Sequence, residues 1–206
     1  MQIKICGLFR PVDADYVNEA MPDYAGLVFW EKSRRRVDRE QADAFRKSLH
    51  PDIQTVGVFV DEEPDIIIEL LKADILDIAQ LHGQETEEQV RDIKERSGKP
   101  VWKAVEVKSA ADIEKWNASA VDCLLFDGGK GGGKPFAWEL LKCAKRPFLL
   151  AGGLNMNRIG AAAELPGLLG IDISSGVETD GFKDREKILQ IVRRVKNMDE
   201  KERGER

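Results

Sequence analysis

The chain has 206 residues, 42% of them hydrophobic and 33% charged, with a net charge of −5, the make-up of an ordinary globular protein long enough to bury a real core. The acidic balance excludes a dedicated nucleic-acid binder, which needs a basic face, and no apolar run approaches the roughly 20 residues that cross a bilayer. Three cysteines, Cys6, Cys123 and Cys143, show no close pairing and no metal-like spacing with His50 or His82, which fits a reducing cytoplasm and predicts no metal site.

Residues 2–6 alternate as a strand with two faces, Ile3 and Ile5 on one, Gln2, Lys4 and Cys6 on the other. Lys4 interrupts the short apolar start, so no secretory leader is expected. After Gly7 the pattern predicts a helix over 12–21, with Pro11 in its first turn. The apolar run 24–29 reads as a buried strand. A basic loop, Trp30 to Val37, leads from it into a helix over 39–47. Further strands are predicted at 55–60, 75–81, 101–105, 121–127, 148–151 and 170–174. Helices follow them at 63–72, 87–96, 110–116, 138–143, 157–164 and 184–196. The stretch 128–134 holds five glycines and is expected to be a short loop that orders only over bound ligand. A single domain over 1–197 is predicted, with the charged tail 198–206 frayed.

Eight strand–helix units in a row predict a single-domain (β/α)8 TIM barrel of eight parallel strands. A doubly wound open sheet is the alternative, but no dinucleotide fingerprint follows the first strand. In such a barrel the chemistry sits at the C-terminal ends of the strands. That rule selects Cys6, Arg35 with its neighbours, Gln80, His82, Asp127, Gly152-Gly153 and Ser174-Ser175-Gly176. The loops after strands seven and eight are small-residue loops where backbone N–H groups can approach a phosphate, so a phosphorylated small molecule is the expected ligand. Taken alone, Cys6 also reads as a small buried hydrophobe, Arg34 to Arg36 as a solvated loop, and Asp127 as a helix cap. Strand alternation further predicts that Lys4 and Asp172, on neighbouring strands one and eight, both point into the barrel and pair beneath Cys6.

Several motifs then fall in a telling order: Lys4-Ile5-Cys6-Gly7, Ser33-Arg34-Arg35-Arg36-Val37, Gln80-Leu81-His82-Gly83, Ala151-Gly152-Gly153-Leu154, and the run from Ile171 to Glu178. With Gly181-Phe182-Lys183-Asp184 they span nearly the whole chain, which resembles the phosphoribosylanthranilate isomerase family of tryptophan biosynthesis. The resemblance implies an Amadori rearrangement of N-(5-phosphoribosyl)anthranilate, with Cys6 as general base and Asp127 as general acid. It also implies Arg35 on the anthranilate carboxylate, and phosphate held by Gly152, Gly153, Ser175 and Gly176. Gln80, His82 and Asp172 complete the expected substrate-binding set. One acid and one base suffice, so no cofactor is expected; a monomer and a homodimer both fit. A sugar-phosphate epimerase would use carboxylates or metal ligands where Cys6 stands, and a silent phosphate binder would need neither Cys6 nor Asp127. Two features depart from the family: the short loop after Asp127, and Phe136-Ala137-Trp138 where Phe-Asp-Trp is usual.

Overall fold

Each central strand must bury two faces, one against helices and one against the opposite wall of a barrel, and the residues divide accordingly. The computed structural model describes residues 1–128 and 137–204, with side chains as far as Met198. The expected loop over 128–134 lies outside the described residues except for Gly128, as does Phe136. Eight strands form the wall: β1 (Gln2–Cys6), β2 (Tyr24–Val28), β3 (Gln54–Phe59), β4 (Ile78–Leu81), β5 (Val101–Glu106), β6 (Cys123–Asp127), β7 (Phe148–Leu150) and β8 (Leu168–Ile173). They pair in sequence order, and β8 pairs in parallel with β1, which closes the barrel.

The helices are α1 (Pro11–Ala20), α2 (Arg39–Ser48), α3 (Pro64–Lys72), α4 (Glu87–Ser97), α5 (Ala110–Glu114), α6 (Ile159–Ala163) and α7 (Arg185–Gly204). Helices α2 and α4 begin with reciprocal side-chain caps, Asp38 with Gln41 and Thr86 with Gln89, which satisfy backbone donors at the helix start. The segment Trp138–Cys143 is a 3-10 helix where an α-helix is expected, a long run for the tighter winding. The last helix continues past Lys196 to Gly204.

Outward-facing Ile3, Ile5, Leu124, Phe126 and Ile171 pack with helical Val17, Ile67, Val90 and Ile188 in the larger core. Inward-facing Tyr24, Val56, Ile78, Trp102, Cys123, Leu125 and Leu149 fill the barrel, so its floor is packed rather than open. Burying each large apolar side chain contributes about 1.5–3 kcal/mol, and both layers draw on the same period-two strands.

One element escapes the pattern of eight units. After β8 the chain makes a small antiparallel hairpin, β9 (Glu178–Thr179) and β10 (Phe182–Lys183). Its turn, Asp180-Gly181, has φ of 52° and 82°, the signs a two-residue type I′ turn requires. The hairpin lies against the loop after β1: Phe182 stacks on Phe9, and Arg10 donates to the Lys183 carbonyl at 2.8 Å.

Candidate active site

Cys6 ends β1 on the inner face, directly opposite Gly26 of β2. A methyl group at Gly26 would stand 2.8 Å from Cys6 Sγ and 3.0 Å from Lys4 Cε, so only glycine leaves the thiol its place. One layer down, Lys4 is 0% exposed and its Nζ donates to Asp172 Oδ2 at 3.0 Å. The two residues are register partners across the β1–β8 seam, the inward pairing that alternation predicts. Burial works against the Lys4 ammonium, but Asp172 and then Cys6 outweigh it, and its pKa stands above the usual lysine value. For Cys6 the balance goes the other way. Burial pushes the thiol above its ordinary pKa, Lys4 pulls it back, and Asp172 adds to the rise. The positive charge expected beside the thiol is therefore present, yet it does not overcome burial. Cys6 is 9% exposed and Cys123 7%, so the thiol lies nearly as deep as one in the barrel floor.

The basic loop after β2 places Arg35 against Gly7 of the loop after β1. Its stem passes so close to Gly7 that a methyl group there would meet Arg35 Cδ at 2.6 Å. The guanidinium is engaged: Nε and Nη2 donate to Glu178 Oε1 and Oε2, both at 2.7 Å. Arg34 adds a contact to Oε2 at 3.1 Å, and Lys183 Nζ one to Oε1 at 2.8 Å. Lys183 is fully covered and also donates to the Ser174 carbonyl at 3.0 Å. Burial pushes its pKa down, with Glu178 opposing. Sequence reasoning assigned no role to Glu178 or Lys183, although both lie inside motifs that it singled out.

Asp127 ends β6, three strands round the wall from β1 through β7 and β8. His82 Nε2 lies 3.5 Å from Asp127 Oδ2, which brings together two residues chosen separately from the sequence. The loop carrying His82 is fixed by a buried pair that the sequence did not point to. Lys103 Nζ contacts Glu85 Oε2 at 2.8 Å and the Gly83 carbonyl at 2.8 Å, while Glu85 accepts from Gly83 N and Asp61 N. Gln80 is 1% exposed, and among the described residues its Oε1 has no hydrogen-bond donor; neither has Asp172 Oδ1. Buried acceptors without partners are rare enough to ask what fills them.

The loops after β7 and β8 meet. Gly152 and Gly153 both have positive φ, 86° and 62°, a backbone that suits glycine. A methyl group at Gly152 would lie 2.7 Å from Asp127 Oδ1 and from Gly128 N, and one at Gly176 2.0 Å from the Leu154 carbonyl oxygen. Arg158 braces this edge, its Nη1 donating to the Gly153 carbonyl at 3.0 Å and its guanidinium 4.8 Å from the Trp138 ring centre. Ser175 opens a one-turn 3-10 helix, Ser175–Val177, and is exposed.

Nearly the whole chain has counterparts among known proteins. The model of the N-(5'-phosphoribosyl)anthranilate (PRA) isomerase family matches residues 3–194. The N-(5'-phosphoribosyl)anthranilate isomerase of Clostridium acetobutylicum is 42% identical over 205 residues, 95% of this chain and 98% of the relative. The crystal structure of phosphoribosyl anthranilate isomerase from Thermotoga maritima superposes with a TM-score of 0.85 at 35% identity, covering 96% of this chain and 99% of that one. A structure of such an isomerase in complex with reduced 1-(o-carboxyphenylamino)-1-deoxyribulose 5-phosphate gives 0.84 at 34% identity, with the same coverage. A thiol and a carboxylate at the mouth of an eight-stranded barrel thus stand in a chain that matches one family from its first strand into its last helix: the protein belongs to the N-(5'-phosphoribosyl)anthranilate isomerase family.

Proposed function

We propose that the protein isomerises N-(5-phosphoribosyl)anthranilate to 1-(o-carboxyphenylamino)-1-deoxyribulose 5-phosphate, a step of tryptophan biosynthesis. The observation that carries this reading is one thiol and one carboxylate, Cys6 and Asp127, at strand ends of the same barrel in a chain that the family matches over residues 3–194. Asp127 gives a proton to the furanose ring oxygen; the C1–O bond breaks and an imine forms at C1. Cys6, as thiolate, takes the proton from C2, and the electron pair left behind makes an enolamine. Movement of the C2 hydroxyl proton to C1 yields the ketone, and proton exchange with solvent returns Cys6 to thiolate and Asp127 to the acid. No atom is gained or lost, so an acid and a base complete the reaction.

The surrounding residues support the substrate roles. The orphan acceptors Gln80 Oε1 and Asp172 Oδ1 suit hydroxyl donors of the sugar, and each gains most from a partner because it is buried. His82 holds the Asp127 carboxylate from the side. Gly152, Gly153, Ser175 and Gly176 offer the phosphate a close backbone, and Arg35 takes the ring carboxylate. Three free cysteines suit a reducing cytoplasm as the working compartment.

The test is turnover itself. Purified protein mixed with N-(5-phosphoribosyl)anthranilate should consume it, followed as loss of the substrate's fluorescence. A chain that leaves the substrate untouched while retaining its fold overturns the reading.

A further inference from the structure

A guanidinium has two edges that can meet a carboxylate with paired N–H groups, the Nε–Nη2 side and the Nη1–Nη2 end. In Arg35 the side edge belongs to Glu178, with both contacts at 2.7 Å. Nη1 has no hydrogen bond among the described residues, so the end edge is the one left for a ligand. Glu178 is itself held firmly. Its side chain is 5% exposed, and the carboxylate accepts from Arg35, Arg34 and Lys183. Burial works against its charge, but Arg35 and Lys183 outweigh it and keep its pKa below the ordinary glutamate value. Lys183 is its register partner across the hairpin. The carboxylate therefore ties the loop after β2 to the hairpin after β8, with the Arg35 stem lying over Gly7.

We propose that Glu178 is a positioning residue for the reaction: by occupying the side edge of Arg35 it fixes the guanidinium so that the end edge meets the ring carboxylate of the substrate. The proposal rests on the reading of Arg35 as the carboxylate clamp. A free arginine would lose its rotamer freedom on binding, whereas one held in advance keeps more of each contact as affinity. Glu178 thereby contributes to preference for carboxylated arylamines without touching the substrate.

The experiment compares two probes by calorimetry: reduced 1-(o-carboxyphenylamino)-1-deoxyribulose 5-phosphate and the same compound lacking the ring carboxylate. They are titrated into the wild-type protein, Glu178→Gln, Arg35→Met and the double variant. The carboxylated probe should bind Glu178→Gln about tenfold more weakly, the loss of roughly one charge-assisted contact, while the other probe holds within about twofold. In the Arg35→Met background the Glu178 substitution should add nothing. In turnover, KM should rise in Glu178→Gln with kcat changed far less, and Glu178→Asp, which keeps the charge, should recover part of the loss. Equal weakening of both probes, or full additivity with Arg35→Met, would show an effect on the fold and overturn the proposal. A wild-type preference that survives Glu178→Gln overturns it too, leaving the clamp intact. Wild-type protein that binds both probes alike removes the clamp itself. If Glu178→Gln does not fold, the same comparison on Glu178→Asp decides, with selective loss for the carboxylated probe expected.

Discussion

Gly26 stands directly across the β1–β2 ladder from Cys6, and the space a side chain would fill there is taken by the sulfur itself. Gly26→Ala should push the thiol and the Lys4 stem aside. Overpacking costs about 1–3 kcal/mol, and displacing a catalytic atom costs about 10²-fold in kcat. Gly160→Ala is the control: nothing lies within 4 Å of the new methyl group, so it should gain about 0.5–1 kcal/mol and leave kcat alone. Chemical denaturation and turnover of the two variants check both halves. A Gly26→Ala enzyme at wild-type kcat would remove Cys6 from the reaction centre.

Cys6→Ala should keep the fold and substrate binding while losing about 10²- to 10⁴-fold in kcat. Asp127→Asn should behave likewise, since an amide has no acidic proton for the ring oxygen. Retention of more than about a third of kcat in either variant is incompatible with its assigned role.

The pH dependence of Cys6 follows from its surroundings. A thiol loses its proton as pH rises, and burial moves that loss upward. Alkylation of Cys6 in the empty protein, mapped by mass spectrometry, should therefore rise with pH and turn over above the ordinary thiol value of about 8.5. Cys123, pushed up to about 11 by burial, should likewise react only at high pH. An inflection for Cys6 below the ordinary value would show that Lys4 and Lys183 already hold the thiolate.

Lys4 and Asp172 are a pair whose parts are worth less separately than together. Lys4→Met leaves a buried carboxylate without its cation and should cost about 3–5 kcal/mol. Lys4→Met/Asp172→Leu removes both charges from a site where they are 0% and 8% exposed and should regain most of that loss. Urea midpoints of the two variants decide. A double variant no more stable than the single one would mean that shape, rather than charge, holds the seam.

Much of this was readable in the chain. Period-two alternation put Lys4, Cys6 and Asp172 on one face, and the barrel rule then brought Cys6 and Asp127 to one mouth. The clamp on Arg35 was not readable, because its partner is 143 residues away and sits on a two-residue strand below the reach of any periodicity window. A signal for that strand was present, since Asp180-Gly181 is a hairpin dipeptide. Glu85 and Lys103 escaped for a related reason: each is an ordinary charge in sequence, and only burial makes the pair exceptional. The 3-10 winding at Trp138–Cys143 was beyond reach as well, because short helical runs carry the same pattern in either form.

The seam between β1 and β8 also sets an order of events during synthesis. Lys4 and Asp172 are 168 residues apart, so the first strand leaves the ribosome on the order of 10 s before its second neighbour exists. Until then the lysine stays in water and one edge of β1 has no ladder to join. The last strand is thus the one that turns an open sheet into a barrel, and the ammonium can leave solvent only when its carboxylate arrives. A nascent chain truncated before Leu168 should expose that edge and aggregate, whereas one extended through Ile173 can complete the wall.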